Sequence, residues 1–275
     1  MTPAVSTAAF DGHSMEVALD ELAELGVAAV EPAYIRGYTA FDEDSFSESA
    51  AERLGRALRD RGLGVRAVSA HMDLSDGDAA AMLARRIDFA AGLGARILIT
   101  NAGPAVARGV ILDRLAGAVP RLEVAGIVLA LENPGHGRDD LIGLGEQGAA
   151  LVAALGSDRL RLNVDVGNLC TYAGGLEPGL SAALPAAVHA HLKDFAEDGP
   201  DWRFVPLGEG MVDWRAVAGA MGRLAPGLPV AVELPLRLHR PGRGDPVRMA
   251  EPLPLPTIRE AIRRSLDVWA VAKGG

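Results

Sequence analysis

Residues 122–135 read LEVAGIVLALENPG, and three signals follow one another within them. A helical pattern closes on Gly126, a residue that accepts the left-handed backbone ending a helix. An aliphatic run, IVLALEN over 127–133, then has the length of a buried strand. An acid, Glu132, stands near its end, where such a strand ordinarily carries only aliphatics. The same glycine stop and aliphatic run recur in ELGVAAV, RGLGVRAV and AGLGARIL. The pattern predicts strands over 3–9, 27–34, 64–71, 95–101, 127–133, 160–167, 187–194 and 229–234. Between them lie stretches with apolar residues at i, i+3, i+4 and i+7, including 14–25, 48–61, 78–92, 109–124, 213–222 and 256–271.

Strict strand–helix alternation implies a parallel sheet with right-handed crossovers. Eight such units, with no composition break, are expected to form one domain over 1–275, an α/β fold of the (β/α)8 TIM-barrel type. That fold typically takes ~250 residues. A doubly wound open sheet is the alternative, weakened because no G-x-G-x-x-G turn follows the first strand. Two long connections, 35–49 and 235–256, follow strands 2 and 8, on the face where barrels keep their chemistry. The second concentrates Arg237, His239, Arg240, Arg243 and Arg248. It suits an anionic substrate group or a neighbouring subunit, hence a homo-oligomer, or serves as a proline-stiffened surface loop.

The chain has 275 residues, 49% hydrophobic and 4% aromatic, with a net charge of −9. Such a charge repels nucleic acid and anionic membrane, so neither is an expected partner. Cys170 stands alone, which excludes an intramolecular disulfide and a cysteine-built zinc site. The opening MTPAVSTAAFDGH lacks the pattern of a signal peptide, and no apolar run approaches the ~20 residues of a membrane span. A cytoplasmic protein is expected.

Four strands carry a polar intrusion: Glu132 in LALENPG, Asp165 in NVDVGN, His191 in HAHLKD and Glu233 in VAVELP. Side chains alternate across a strand, so each polar residue lies opposite an aliphatic set, such as Val164/Val166 or Val188/Leu192. The aliphatic faces belong against helices, which points the polar residues into the barrel near one mouth. Three carboxylates and an imidazole in a partly dry cavity need a countercharge. One divalent cation supplies it, with Mn²⁺ the first expectation and Mg²⁺, Co²⁺ or Zn²⁺ also suited to this donor set.

LALENPG, NVDVGN, HAHLKD, PLGEG-MVDW and VAVELP, in that order, resemble the successive signatures of the xylose-isomerase-like barrel superfamily. The resemblance is to its sugar-phosphate isomerase/epimerase group, which also includes the family-2 apurinic endonucleases. It covers nearly the whole chain, with the specific motifs in the second half. It implies Glu132, Asp165, His191 and Glu233 as the ligands of one metal, with Glu132 and Glu233 also transferring protons. The implied activity is isomerisation or epimerisation of a sugar, keto-sugar or related polyol through a metal-stabilised ene-diolate. A dehydratase or lyase, including one that cleaves a C-glycosidic bond, shares that first step and is the alternative. The endonuclease branch needs a three-metal cluster with further histidines. Here Asn168 and Asn101 stand where such ligands would be sought, which disfavours it.

Candidate contacts for a small carbohydrate-like substrate are His71, Asn101, His136, Asn168, Lys193, Trp202 and Arg203. Tyr34 and Tyr38 are placed to cover the site. Asp194, on the opposite face from Lys193, is expected to anchor a loop.

Overall fold

Pro32 and Arg66 interrupt two neighbouring strands, and the pairing across these breaks closes the sheet. The structure, a computed structural model, describes residues 2–135, 139–171 and 175–274. Its barrel strands are β1 (Ala4–Ser6), β2 (Ala29–Glu31 and Ala33–Tyr34), β3 (Gly64–Val65 and Ala67–Ala70) and β4 (Ile97–Asn101). They continue as β5 (Val128–Glu132), β6 (Leu160–Asp165), β7 (Ala187–Leu192) and β8 (Val230–Val232). Every neighbouring pair is parallel, and β8 returns to β1 with Ala231 opposite Ala4. At the β2–β3 seam Ala29 faces Gly64 below the break and Ala33 faces Ser69 above it, a slip of one residue. Pro32 has no N–H for the ladder, yet its carbonyl still accepts from Ser69 N at 3.0 Å, so the seam holds.

Among the described residues, eight helices of two or more turns alternate with these strands: α1 (Met15–Glu24), α2 (Glu48–Asp60), α3 (Ala79–Gly92), α4 (Arg108–Ala125), α5 (Gly145–Leu155), α6 (Leu176–Ala183), α7 (Trp214–Leu224) and α8 (Leu255–Gly274). This is the expected (β/α)8 barrel. Side-chain caps start several helices, among them Ser14 on Val17 N and Asp213 on Ala216 N. Gly126, at φ 68°, ends α4 in the left-handed conformation that its place in the sequence predicts. No helix among the described residues is long and apolar enough to cross a membrane.

The main core lies between sheet and helices, where Val30, Leu98, Leu129, Leu162 and Val232 pack with Leu19, Ile87, Leu115, Val217 and Ile262. Inside the barrel the lower layers are small or aliphatic: Ala4, Ala29 and Ala231, then Ala67, Ile97, Ile99 and Ala130. Val188, expected on the outer face, packs against this inner set. The cause is a register shift where Leu162 faces Ala187 but Asn163 faces His189. That bulge turns Val188 inward and leaves His189 and His191 pointing to the axis.

The sequence between β7 and α7, and the 235–256 connection, are not plain loops. They form a four-stranded antiparallel sheet from Asp194–Asp198, Asp201–Val205, Leu238–Arg240 and Val247–Arg248. These strands are short and polar, so nothing in their local pattern separates them from loop sequence. Long-range packing holds them: Trp202 packs against Phe195 with ring centroids 4.9 Å apart and planes tilted by 52°, and the guanidinium of buried Arg240 lies over the Trp202 ring.

Asp194 fastens this sheet to the barrel. Its buried carboxylate accepts from Phe195 N, Gly208 N, Val212 N and Trp214 Nε1, at 2.9 to 3.2 Å. A Cβ on Gly210 would collide with that carboxylate and with the Phe195 carbonyl, which explains the glycine. Asp194→Ala leaves four donors without their acceptor, and urea unfolding should show a loss of about 3 kcal/mol or more. A loss below about 1 kcal/mol would mean that water replaces the carboxylate at little cost.

Candidate metal centre and cavity

Strand alternation puts Glu132, Asp165 and His191 on the inner face at the upper ends of β5, β6 and β7. Glu233 follows β8 directly, its N–H bonded to Leu192 O at 3.0 Å. One candidate ligand atom from each of these four residues lies within 4.8 Å of the others, and all four side chains are buried. His191 Nδ1 stands 2.9 Å from Glu132 Oε2, 3.7 Å from Glu233 Oε2 and 3.9 Å from Asp165 Oδ2.

The donor set fits a hard or borderline divalent ion. Both Glu233 oxygens and Asp165 Oδ2 are buried without a hydrogen bond of good geometry among the described residues. Lys193 supplies charge but not that geometry, with Nζ 2.7 Å from Asp165 Oδ2 and 2.6 Å from Glu233 Oε2. Buried oxygens of this kind are costly unless something further binds them.

The set rests on a lower tier that the four-strand reading missed. Glu31, fully buried at the end of the first part of β2, accepts from His191 Nε2 at 2.8 Å and from Ser69 Oγ at 3.0 Å. This fixes the ring so that Nδ1 faces the carboxylates. Asn163 completes the tier: its Nδ2 lies 2.5 Å from Glu132 Oε2, and its Oδ1 pairs with His189 Nδ1 at 2.8 Å. The signal was present, because Glu31 ends VAAVE with the same parity as Glu132 ends LALE. Glu31, His189 and His191 also gather at ligand distance; here His191 Nε2 is already paired with Glu31 Oε1, while Glu31 Oε2 lies 3.5 Å from His189 Nε2 without a hydrogen bond among the described residues.

Asp165 is fixed by its neighbours as well. Its Oδ1 caps the one-turn helix Val166–Leu169 by accepting from Asn168 N, and its backbone pairs with Asn133 in both directions. Asn168 Nδ2 in turn donates to Asn133 O. Its amide therefore braces the loop after β5.

Charge inside the barrel is unbalanced. Burial alone would lower His191, but Glu31, Glu233 and Glu132 outweigh it and hold the ring well above the usual imidazole range. Burial likewise disfavours the Lys193 ammonium, yet Asp165 and Glu233 keep it firmly charged. Burial pushes Asp165 up to about 6 against the pull of Lys193. Burial opposes ionisation of Glu132, and the nearby His191 and His71 overcome it, leaving the carboxyl below its ordinary range. Burial drives His189 down to about 4 and also lowers His71, so both are neutral at pH 7. Four buried carboxylates thus face two buried cations, a deficit of the sign a dication corrects.

A cavity of 390 Å³ opens above the set. His71, Asn101, Asn168 and Lys193 line it together with Glu132 and Glu233, as does Tyr38. Asn101 presents a buried Oδ1 that has no hydrogen-bond partner among the described residues. Tyr34 instead belongs to an aromatic cluster with Phe41, Phe46 and Phe89. Trp202 and Arg203 are not brought to the cavity: Trp202 packs on Phe195, and exposed Arg203 pairs with Asp198 at 3.0 Å. His136 lies outside the described residues. The arginine-rich connection is held to the body, with Arg237 and Arg248 on Asp11 and Arg243 on Glu197.

Residues 19–264 match the xylose isomerase-like TIM barrel family. The chain belongs to that family. No curated protein matches it in sequence. Among solved structures it is similar over its full length to a D-psicose 3-epimerase crystallised with D-fructose, at 15% identity, 100% coverage of both chains and a TM-score of 0.78. A xylose isomerase-like TIM barrel protein from Mycobacterium smegmatis in complex with magnesium shares 20% identity, with 99% of this chain and 97% of that one covered and a TM-score of 0.71. A protein named IOLI, with a bound zinc atom, shares 16% identity over 99% and 98% of the two chains, at a TM-score of 0.74.

The Glu31–His191 pair has a direct signature. In chelator-treated protein, NMR titration should find His191 protonated at pH 7, and Glu31→Gln should lower its pKa. Because the folded value lies above the unfolded 6.5, the stabilisation is complete below about pH 6.5. It is lost as pH rises through the folded value, and Glu31→Gln should flatten that decline. An unchanged His191 titration in the variant would remove Glu31 from this role.

Proposed function

We propose that the protein is a divalent-metal-dependent isomerase or epimerase acting on a ketose or related polyol. The observation that carries this reading is the convergence of Glu132, Asp165, His191 and Glu233 beneath the cavity, with buried oxygens short of hydrogen bonds. The resemblance to an epimerase crystallised with a sugar, and to barrels with bound magnesium or zinc, supports it. Mn²⁺ is the first ion to test, followed by Mg²⁺, Co²⁺ and Zn²⁺.

A divalent ion held by these four side chains would act as a Lewis acid toward a substrate carbonyl. The chain's own groups do the rest. Glu132, ionised and on the cavity wall, takes the proton from the carbon beside the carbonyl. Glu233 faces the same cavity from the adjoining side and relays a proton from the Lys193 ammonium, 2.6 Å away, to give the epimer or isomer. Glu132 keeps the abstracted proton until solvent resets both groups. His71, Asn101, Asn168 and Lys193 offer hydrogen bonds to hydroxyl groups, which fixes the face exposed to each glutamate. The charge that develops would be met by these fixed groups on the cavity wall.

Incubation with Mn²⁺ and a panel of free ketoses in deuterated water should replace a substrate C–H by C–D, read by NMR. Glu132→Gln should slow that exchange by about 10²–10⁴-fold, the usual contribution of a positioned base. Exchange that persists in the variant would assign the proton transfer elsewhere. Products that have lost water or an aglycone would show elimination in place of isomerisation.

A further inference from the structure

We infer that Lys193 competes with the divalent ion for Asp165 and Glu233, so that the site binds its metal more weakly, and exchanges it more readily, than its four ligands alone would. This rests on the metal reading above and adds a function for a residue that reading uses only as a substrate contact.

Lys193 is an unusual choice in this chain. Twenty-seven residues are lysine or arginine, and only Lys193 and Lys273 are lysines. A compact ammonium can enter a space that a planar guanidinium cannot. Two residues beyond His191, it shares the inward parity of the ligand and is 2% exposed. Its Nζ contacts Asp165 Oδ2 and Glu233 Oε2, at 2.7 and 2.6 Å. Those two oxygens also face His191 Nδ1 across the candidate metal position, at 3.9 and 3.7 Å.

An oxygen facing an ammonium at this distance has part of its charge already compensated, so it offers less to a second cation. Like charges held on shared ligands also repel strongly where water is scarce. The ammonium has the complementary effect on folding, because it keeps two buried carboxylates from standing uncompensated. Lys193 lines the open cavity as well, so its side chain has space on one side to yield.

The test compares Mn²⁺ binding to chelator-treated wild type and Lys193→Met by isothermal titration calorimetry at one pH. The variant should bind Mn²⁺ more tightly, on the order of tenfold or more. Its thermal midpoint should fall below wild type after chelation, with the gap closing at saturating Mn²⁺. A lysine with a merely structural role would loosen the ligand set, so equal or weaker Mn²⁺ binding overturns the inference. If Lys193→Met does not survive chelation, Lys193→Gln purified with Mn²⁺ is challenged with excess chelator. Slower metal loss than wild type supports competition, and equal or faster loss overturns it. Wild type that takes up no divalent ion would sink the metal reading itself, whereas an unchanged variant beside a metal-binding wild type sinks only this inference.

Discussion

The imidazole of His191 is the hinge between two buried charge systems. Its Nε2 is committed to Glu31, which Ser69 also holds, and its Nδ1 meets the carboxylates from three other strands. One ring therefore links β2, β3 and β7 below to β5, β6 and β8 above. Each contact is favourable only because the others exist: Glu31 without the ring would be a buried, uncompensated acid, and the ring without Glu31 would be free to turn. The barrel interior is thus organised by electrostatics at its upper end and by alanine and isoleucine packing at its lower end.

This arrangement lies beside the irregular β2–β3 seam. Glu31 immediately precedes Pro32, at the point where the β2–β3 register slips by one residue. The slip breaks the strand after Glu31 but keeps Ser69 beside it, at 3.0 Å from Oε1. A comparable irregularity between β6 and β7 brings both His189 and His191 inward. Bulges next to functional sites re-aim side chains in this way, and here two of them act on the same hydrogen-bonded tier.

What the sequence made legible was whatever depends on period two. The parity of Glu132, Asp165, His191 and Glu233 follows from alternation along a strand, and alternation survives folding wherever one face is packed against helices. Glu31 obeys the same rule, but it stands in the middle of the predicted strand 27–34 and not near its end, where the four ligand candidates were sought. Val188 breaks the rule because of a bulge that no local pattern announces. The antiparallel sheet over 194–248 was not legible, since its strands are short and polar and depend on Trp202, Phe195 and Arg240 meeting across the chain. Trp202 and Arg203 stood among the candidate substrate contacts for the same reason: composition identified an aromatic and a cation, but only packing could say which way they face.

The two glutamates assigned to proton transfer are not equivalent, although the sequence presents them as a matched pair. Glu132 Oε2 is enclosed by Asn163 Nδ2, His191 Nδ1 and, at 3.6 Å, His71 Nε2. Among the described residues Glu233 Oε2 faces the Lys193 ammonium at 2.6 Å and His191 Nδ1 at 3.7 Å, and neither Glu233 oxygen makes a hydrogen bond of good geometry. A carboxylate held on three sides keeps one orientation through a reaction, which suits the group that must meet a particular C–H bond. A carboxylate without such a frame can turn and can share the neighbouring ammonium's protons, which suits delivery to the opposite face. On the proposed reading, the better-held Glu132 takes the proton and Glu233, beside Lys193, returns one, with the two roles exchanged in the reverse reaction.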